Sequence, residues 1–340
     1  MSNRLYGVLT KKMGGIKIFT IICERRERKM KKKLTAAGAA ASLFLGLSGF
    51  IYHEVIDSNG KVFDKVGQIV SSKKAGAAPE IDPREKWLCG QSFTEYRIKG
   101  CDGTMLHAYY LPAEKETDKF IFCSHGYRSN ALTGFALITK FLHDKGYNVF
   151  LIDQRGCGKS GGNHITFGNK ESKDCLLWLD FMLETFGKDI EICLYGVSLG
   201  SATVMMMTGD PALPENVKFT VADCGYTNAW NEFSNVLGVI GPLKYPILVG
   251  ADIFCRLFAG FDFRDTNALE GVKHARIPIL FIHGGADDFI PPVMCYELYE
   301  ATSAPYKDLV IIDGAWHAKS YATDSALYEK KFSEFAEKFF

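Results

Sequence analysis

Residues 190–207 read IEICLYGVSLGSATVMMM, and this stretch decides the fold. Its first part is a short apolar run of the kind that forms a buried strand. The pattern G-x-S-x-G follows at residues 196–200, and the residues after it favour a helix. Such a pattern between a strand and a helix is typical of a sharp turn that exposes a nucleophilic serine, with glycines where backbone approaches backbone. The stretch therefore predicts Ser198 as a nucleophile.

A second glycine-rich stretch, DQRGCGKSGG at residues 153–162, matches three motifs at once. A dinucleotide fingerprint needs a helix that opens within the motif, but the next predicted helix starts near residue 170. A phosphate-binding P-loop needs a glycine where this chain has Asp153. As a G-x-S-x-G turn, the stretch places Ser160 seven residues beyond the strand end, with no helix behind it. We therefore place Ser160 in a loop and reject both nucleotide-binding interpretations.

Short apolar runs and helical patterns alternate on both sides of residues 190–207. The predicted strands are FTEYRI and MLHAYYL, which form an antiparallel pair, then KFIFCSHG, YNVFLID, IEICLYG, FTVADCG, IPILFIHGG and DLVIID. Helices are predicted near residues 131–145, 170–186, 198–208 and 292–303, and from about residue 325. This alternation predicts an α/β fold in which helices cover both faces of a mostly parallel sheet.

One long insertion interrupts the alternation. It runs from about Tyr226 to Arg276 and is rich in Phe, Leu, Ile, Val, Gly and Pro. Because it connects two core strands, we expect helical hairpins that form a cap over one end of the sheet. Six of its large apolar residues could either line an apolar acyl pocket or pack on the core: Phe233, Leu237, Ile240, Phe254, Phe258 and Phe261.

A serine nucleophile needs a general base and a carboxylate that orients the base, and both are expected after later strands. His317, in DGAWHAKS, follows the last predicted strand and is the one histidine beyond residue 287. Three carboxylates are candidates for the acid. Asp287 and Asp288 follow the strand IPILFIHGG, and Asp223 ends the strand before it.

Backbone amides must also hold the oxyanion that forms when the serine attacks a carbonyl group. The amide of Leu199, directly after the serine, is one candidate. The amide of Tyr127, in SHGYRSN after the first parallel strand, is the other. His125 lies in the same turn, and we expect it to support the turn rather than to catalyse.

Composition excludes several other classes of protein. The chain has 340 residues and a formal net charge of +1, which gives no electrostatic reason to expect a nucleic-acid partner. No two of its ten cysteines are spaced C-x-x-C, so neither a zinc site nor a thioredoxin-type motif is supported. Cys123 and Cys193, inside apolar runs, are predicted to be buried and inert. Whether Cys89 and Cys101 form a disulfide is left open.

Five stretches in combination resemble the α/β-hydrolase superfamily, and more narrowly its bacterial prolyl-oligopeptidase-like and serine-aminopeptidase-like branch. They are HGY at 125–127, DQRGCGKS at 153–160, GVSLG at 196–200, HGGADDFIP at 283–291 and GAWH at 314–317. The resemblance covers residues 87–340. It implies a triad of Ser198, His317 and Asp287, the last assigned by the family pattern H-G-x-x-D. It also implies that Arg155 and its neighbouring glycines shape one wall near the active site and bind no nucleotide.

The predicted function is that of a serine hydrolase that cleaves an acyl bond through an acyl-enzyme, without a metal or an organic cofactor. A carboxylic ester is favoured because no acidic cluster marks a subsite for a free amine. An aminopeptidase, an amidase or a thioesterase of the same fold stays open. The alternative from another class is a catalytically inactive, membrane-tethered binding protein, which the loss of a triad residue would indicate. The oligomeric state is not predicted.

The N-terminal part of the chain differs in composition. Residues 1–33 end in a run with seven basic residues at positions 25–33, and residues 34–52 carry no charge. About 20 apolar residues span a bilayer as a helix, so we predict an uncleaved membrane anchor; a signal peptide and a buried helix are the alternatives. Positive charge before the span predicts that the catalytic domain is not cytoplasmic, although nine later cysteines are many for an oxidising compartment. Residues 53–86 are predicted to form a stalk before the catalytic domain at residues 87–340.

Overall fold

A sheet of eight strands is the centre of the computed structural model, which describes residues 28–35, 38–39, 41–60 and 82–340. The strands are β1 Thr94–Lys99, β2 Met105–Leu111, β3 Lys119–Ser124, β4 Asn148–Asp153, β5 Glu191–Val197, β6 Val217–Asp223, β7 Ile279–Gly284 and β8 Lys307–Ile312. Their order across the sheet is β1-β2-β4-β3-β5-β6-β7-β8. The β1–β2 and β2–β4 pairs are antiparallel, and the other neighbours are parallel.

Helices cover both faces of this sheet, which confirms the predicted fold class. They are α1 Ala41–Ile56, α2 Pro83–Cys89, α3 Ala131–Gly134, α4 Thr139–Asp144, α5 Asn169–Phe186, α6 Leu199–Met207, α7 Ala229–Val236, α8 Lys244–Phe254, α9 Ala268–Lys273, α10 Pro292–Ala301, α11 Ser320–Thr323 and α12 Ser325–Phe339. Residues 28–35 and 38–39 are also helical.

Burial of the strands explains their composition. Every residue of β4 and of β7 is buried, because parallel strands inside a doubly covered sheet have no solvent face. The edge strand β1 instead alternates between exposed and partly buried residues. On one face, Phe332 and Phe335 of α12 pack against Phe219 of β6. On the other face, Trp178 of α5 packs against Phe150 of β4.

The insertion folds as a helical hairpin with a broken tip. By length and composition alone, Ala229–Ala259 is the one helical run in the described residues that could cross a membrane. It is not a straight helix, because Gly241 has φ 57° and ψ −140° and Pro242 follows it within the 3₁₀ segment Leu237–Leu243. The helices α7 and α8 contact each other across this break. We call residues 229–259 the insertion hairpin.

The segment that follows the predicted anchor lies on the domain at residues 87–340. Helix α1 continues to Ile56, four residues into the predicted stalk, with its last turn widened to a π-helix. Asp57 forms a β-bridge with His164, and the amide of Ser58 donates to the carbonyl of Asn163 at 2.9 Å. Residues 36, 37 and 40 of the predicted span and residues 61–81 of the stalk lie outside the described residues.

The cysteines agree with their sequence context. Cys123 and Cys193 are fully buried, and burial raises the pKa of both thiols well above the ordinary value. Cys89 and Cys101 are exposed and both are free thiols, so they form no disulfide with each other.

Candidate active site

The turn after β5 has the geometry that its glycines predict. Ser198 adopts φ 56° and ψ −116°, a strained conformation for a residue with a side chain, and α6 begins at the next residue. A Cβ atom at Gly196 would overlap the carbonyl group of Gly200, and one at Gly200 would overlap the carbonyl oxygen of Ser124. Both positions therefore require glycine, because α6 packs directly onto the ends of β3 and β5.

The structure brings Ser198, His317 and Asp287 together from three different loops. The Oγ atom of Ser198 lies 2.9 Å from Nε2 of His317. The Nδ1 atom of the same ring lies 2.8 Å from Oδ2 of Asp287. In the tautomer protonated at Nδ1, the serine donates to the imidazole and the imidazole donates to the carboxylate. The arrangement can remove the proton of the serine hydroxyl when that oxygen attacks an electrophile.

Asp287 is held in place by backbone donors. Its Oδ1 atom accepts hydrogen bonds from the amides of Phe289 and Ile290, at 3.0 and 2.9 Å. Burial alone would raise the pKa of Asp287, but hydrogen bonds from His283 and His317 hold that pKa well below its usual range. The carboxylate is therefore ionised at neutral pH and fixed in orientation.

His283 is a residue of this site that the sequence analysis did not single out. Its Nε2 atom donates to the carbonyl of Ile290 at 2.8 Å and lies 3.4 Å from Oδ2 of Asp287. Although burial lowers the pKa of His283, its hydrogen bond with Asp287 raises that pKa to about 10. The sequence could have identified His283 as the first residue of the stretch HGGAD, which ends at Asp287.

The carboxylates of the two other candidate acids have different surroundings. The carboxylate of Asp223 accepts hydrogen bonds from Ser320 Oγ at 3.2 Å and Tyr328 Oη at 3.0 Å. Burial raises the pKa of Asp223 to about 6. Asp288 is exposed, one residue beyond the carboxylate that contacts His317.

The two backbone amides expected to hold an oxyanion border the serine. Leu199 is the first residue of α6, whose N-terminal end carries a partial positive charge. Gly126 lies so close that a Cβ there would be 3.4 Å from Cβ of Ser198, and Tyr127 follows it. The Tyr127 ring stacks on Phe167, and its hydroxyl donates to the carbonyl of Val55 at 2.8 Å.

His125 supports this turn, as the sequence led us to expect. Its side chain is fully buried. Nε2 accepts from the amide of Gln154 at 3.0 Å, and Nδ1 donates to the carbonyl of Gly126 at 2.7 Å. Burial lowers the pKa of His125, so the ring stays neutral.

The glycine-rich stretch at residues 153–162 is a structural loop. Ser160 donates to the carbonyl of Asp153 at 2.6 Å and accepts from the amide of His107 at 2.8 Å, so its hydroxyl belongs to the backbone network. Arg155, 3% exposed, donates to Asp174 at 2.8 Å and to Asp102 at 2.9 Å. This arginine therefore joins the β1–β2 turn to α5.

Glu232 of α7 is a second residue that the sequence analysis missed. Its side chain is buried, and neither carboxylate oxygen has a hydrogen-bond partner within the described ranges. One helical turn later, Asn235 donates to the carbonyl of Phe289 at 3.2 Å, and the Phe289 ring lies 5.0 Å from the ring of His317. Burial, reinforced by the charge of Asp287, raises the pKa of Glu232 to about 8. In sequence it resembles an ordinary acidic residue in the first turn of a helix.

One group of potential metal ligands occurs in the part of the chain that the structure describes. The donor atoms of Cys224, Asp287 and His317 lie within 4.8 Å of one another. Burial raises the pKa of the Cys224 thiol well above its ordinary value. The other two donors are joined to each other by a hydrogen bond and belong to the series that begins at Ser198.

Known proteins with similar sequences extend over most of the chain. A family model described as serine aminopeptidase, S33, matches residues 115–231. The uncharacterized protein YqkD of Bacillus subtilis is 26% identical over 309 residues, which cover 91% of this chain and 98% of that protein. An uncharacterized membrane protein of Saccharomyces cerevisiae, YNL320W, is 27% identical and covers 63% of this chain and 74% of its own length.

The fold is also found among solved structures. The esterase Pf2001 of Pyrococcus furiosus superposes with a TM-score of 0.61 at 22% identity, over 78% of this chain and 96% of that structure. The sheet order, the strained turn at Ser198 and these similarities lead to one conclusion. This chain has the α/β-hydrolase fold, and its residues 115–231 match the serine aminopeptidase, S33, family model.

Proposed function

We propose that the protein is a serine hydrolase that cleaves an acyl bond, in the first place a carboxylic ester, with Ser198 as its nucleophile. The observation that carries this proposal is the continuous series of hydrogen bonds from Ser198 through His317 to Asp287, at 2.9 and 2.8 Å. A series of this geometry activates a hydroxyl group for attack on a carbonyl carbon. The similarity in fold to an esterase supports the choice of an ester.

The proposed reaction has two halves. Ser198 Oγ bonds to the acyl carbon while its proton passes to Nε2 of His317, and the imidazolium then protonates the departing alcohol. A water molecule next gives a proton to the same nitrogen and bonds to the acyl carbon. The imidazolium then returns this proton to Ser198 Oγ as the bond between Oγ and the acyl carbon breaks, which releases the acid. Asp287, ionised and held by two amides, stabilises the imidazolium in both halves.

In each half, negative charge develops on the carbonyl oxygen of the substrate. We assign its stabilisation to the amides of Leu199 and Tyr127, which border Ser198. One well-aimed donor of this kind lowers the barrier by about 2.7–4 kcal/mol. The N-terminal end of α6 adds its partial positive charge at the same place.

An aminopeptidase is the second candidate, and Glu232 is the observation that favours it. A buried carboxylate without a partner is unusual, because burial of a polar group is costly unless another group compensates it. The ammonium group of a bound peptide would supply that compensation next to the triad. An inactive binding protein is disfavoured, since no triad residue is missing.

The N-terminal segment has a proposed role of its own. We assign residues 34–52 as an uncleaved membrane anchor, with the catalytic domain on the non-cytoplasmic side. The support is the uncharged span, the basic residues before it and the similarity to a yeast protein that is called a membrane protein.

Covalent labelling tests the nucleophile. A fluorophosphonate probe should label the wild-type chain at Ser198, because a serine bonded to a general base is activated. The Ser198→Ala variant should not be labelled, and the Ser160→Ala variant should be labelled as the wild type is. Labelling of Ser198→Ala, located by peptide mass spectrometry, would overturn the assignment.

Conservative substitution of the carboxylates tests the acid. Asp287→Asn should reduce kcat on a p-nitrophenyl ester by roughly 10⁴-fold, because the amide leaves the imidazole in the wrong tautomer. Asp288→Asn, a matched change one residue away, should keep nearly all activity. A greater loss in Asp288→Asn or Asp223→Asn than in Asp287→Asn would transfer the role to that residue.

Glu232 separates an esterase from an aminopeptidase. If Glu232 binds a substrate ammonium, Glu232→Gln should lower kcat/KM on aminoacyl anilides about 10–100-fold, the cost of one hydrogen bond between charged groups. Hydrolysis of p-nitrophenyl esters should change little. Equal losses on both substrates, or a wild type inactive on anilides, would exclude the aminopeptidase.

The pH dependence of the stability of Glu232→Gln tests separately whether burial raises the pKa of Glu232. Burial raises the pKa of Glu232 in the folded chain to about 8, whereas the ordinary pKa of a glutamate is 4.5. The folded state thus binds more protons between these values, so this group lowers stability as the pH rises through that window. Urea unfolding of Glu232→Gln at several pH values should therefore show a smaller fall in the free energy of unfolding, as the pH rises through this window, than the wild type shows.

Topology is tested in cells. Protease added to intact spheroplasts should digest the catalytic domain, and a carbonate wash should leave the chain in the membrane fraction. A cytoplasmic marker protein should be protected in the same sample. Protection of the domain would reverse the proposed topology, and release by carbonate would exclude the anchor.

A further inference from the structure

The helices α1 and α8 pack through small residues. Ser48 is 1% exposed, and its hydroxyl lies 2.7 Å from the carbonyl of Phe44 and 3.0 Å from that of Ile247. A Cβ atom at Gly250 would overlap this serine, and Gly49 faces the ring of Phe254. Small residues that let two backbones approach closely, and hydroxyls bonded across helices, are typical of helix pairs in membranes.

Contacts along this pair define its direction. Ser48 meets Ile247 and Gly250, and Tyr52, one turn later, meets the rings of Phe254 and Phe258 at 6.0 and 5.9 Å. The contacts advance together along both helices, so α1 and α8 run in the same direction. The 3₁₀ segment before α8 therefore lies beside the earlier, uncharged part of α1.

The outer side of the insertion hairpin is apolar and exposed. Tyr245, Val249, Ile253 and Leu257 recur at every fourth position and are each about half exposed or more. In an α-helix this spacing places side chains along one face. In the segment that precedes α8, Leu243 is 59% exposed and Val239 is 92% exposed. We call these six residues the hairpin surface.

The hairpin surface continues onto α1. Leu43, Leu47 and Phe50 of that helix are also exposed, at 62%, 40% and 48%. Monomeric soluble proteins rarely leave so many large apolar side chains together in water, and a contiguous patch of this kind marks a protein or membrane contact.

Charge distribution favours a membrane as the occupant. The one charged residue within positions 237–251 is Lys244, and its ammonium donates to the carbonyl of Ser234 at 2.8 Å. At the other end of the N-terminal segment, residues 28–33 include five exposed basic side chains. Anionic lipid head groups attract such a cluster of basic residues. An apolar surface on α1 and the insertion hairpin, with a basic cluster before α1 in the chain, suits an anionic bilayer.

The shape of the insertion hairpin suits a segment that enters the bilayer and leaves it on the same side. Gly241 and Pro242 break the helix at the tip, so the chain enters and returns rather than crosses. Its backbone is helical on both sides of the break, which satisfies the amide and carbonyl groups without water.

We propose that the insertion hairpin enters an anionic bilayer beside α1, so that the catalytic site faces the membrane and takes its acyl substrate from lipid. The same elements contact the loops around the candidate active site: α7 contacts the turn after Asp287 through Asn235, and the end of α1 is bonded to Tyr127. Membrane entry rests on the apolar surface alone. The substrate class, an acyl ester of a lipid, rests in addition on the proposed function.

Tryptophan quenching by brominated lipids tests membrane entry. The full chain is reconstituted into vesicles of phosphatidylglycerol and phosphatidylethanolamine with brominated acyl chains, and emission is compared with that in unbrominated vesicles. Tyr245→Trp should add emission that the bromines quench. Tyr306→Trp is the matched control, since Tyr306 is a partly exposed tyrosine just before the start of β8, whereas the insertion hairpin follows the end of the parallel strand β6, and its added emission should not be quenched. Equal quenching in both variants would overturn the proposal. It would also be overturned if the bromines did not quench residue 245 and this residue were instead covered in a dimer that forms as the protein concentration rises.

Activity on two esters separates membrane entry from the chemistry. Val239→Asp should hydrolyse water-soluble p-nitrophenyl acetate as the wild type does. Its hydrolysis of a long-chain ester embedded in vesicles should fall about tenfold or more, because an apolar contact with lipid is lost. Quenching without any ester hydrolysis by the wild type would refute the proposed function and leave membrane entry standing. An unchanged rate on the embedded ester would overturn lipid as the source of substrate.

Discussion

The close approach of α6 to the ends of β3 and β5 is the constraint on which the site depends. Gly200 lies so near the Ser124 carbonyl that no side chain fits there, and Ser198, two residues earlier, adopts a strained conformation. The serine amide is tied to the carbonyl of Asp223 at 2.9 Å, so β3, β5 and β6 all meet at one residue. Strain of this kind persists only where the surroundings determine the backbone fully.

Two buried carboxylates near this turn show how surroundings set protonation. Asp287 accepts hydrogen bonds from His283, from His317 and from two amides, and these bonds hold its pKa low. Glu232 is buried without a partner in the described structure, and burial raises its pKa to about 8. Carboxylates whose pKa values are separated in this way are suited to different tasks. Asp287 remains an anion at neutral pH, whereas the charge of Glu232 changes close to neutral pH.

The N-terminal helix is hydrogen-bonded to the candidate active site rather than attached as a separate tether. Tyr127, whose amide is assigned to the oxyanion, donates its hydroxyl to the carbonyl of Val55. Arg128 donates to the carbonyls of Glu54 and Asp57, both at 2.8 Å. The turn beside Ser198 and the end of α1 are therefore joined by hydrogen bonds, so a movement of the helix would displace this turn.

Local pattern by itself determined the alternation of strands and helices, the turn at Ser198 and the position of His317 after the last strand. These features depend on apolar periodicity and on glycines where a Cβ would clash, and both are visible in short stretches. From the residues alone, three aspartates remained candidates for the acid, and H-G-x-x-D favoured one of them. Only tertiary structure showed that Asp223 is bonded to Tyr328 and that Asp287 reaches His317. It likewise decided the burial of Glu232 and the packing of Ser48 on Gly250, because such contacts join residues that are distant in the chain.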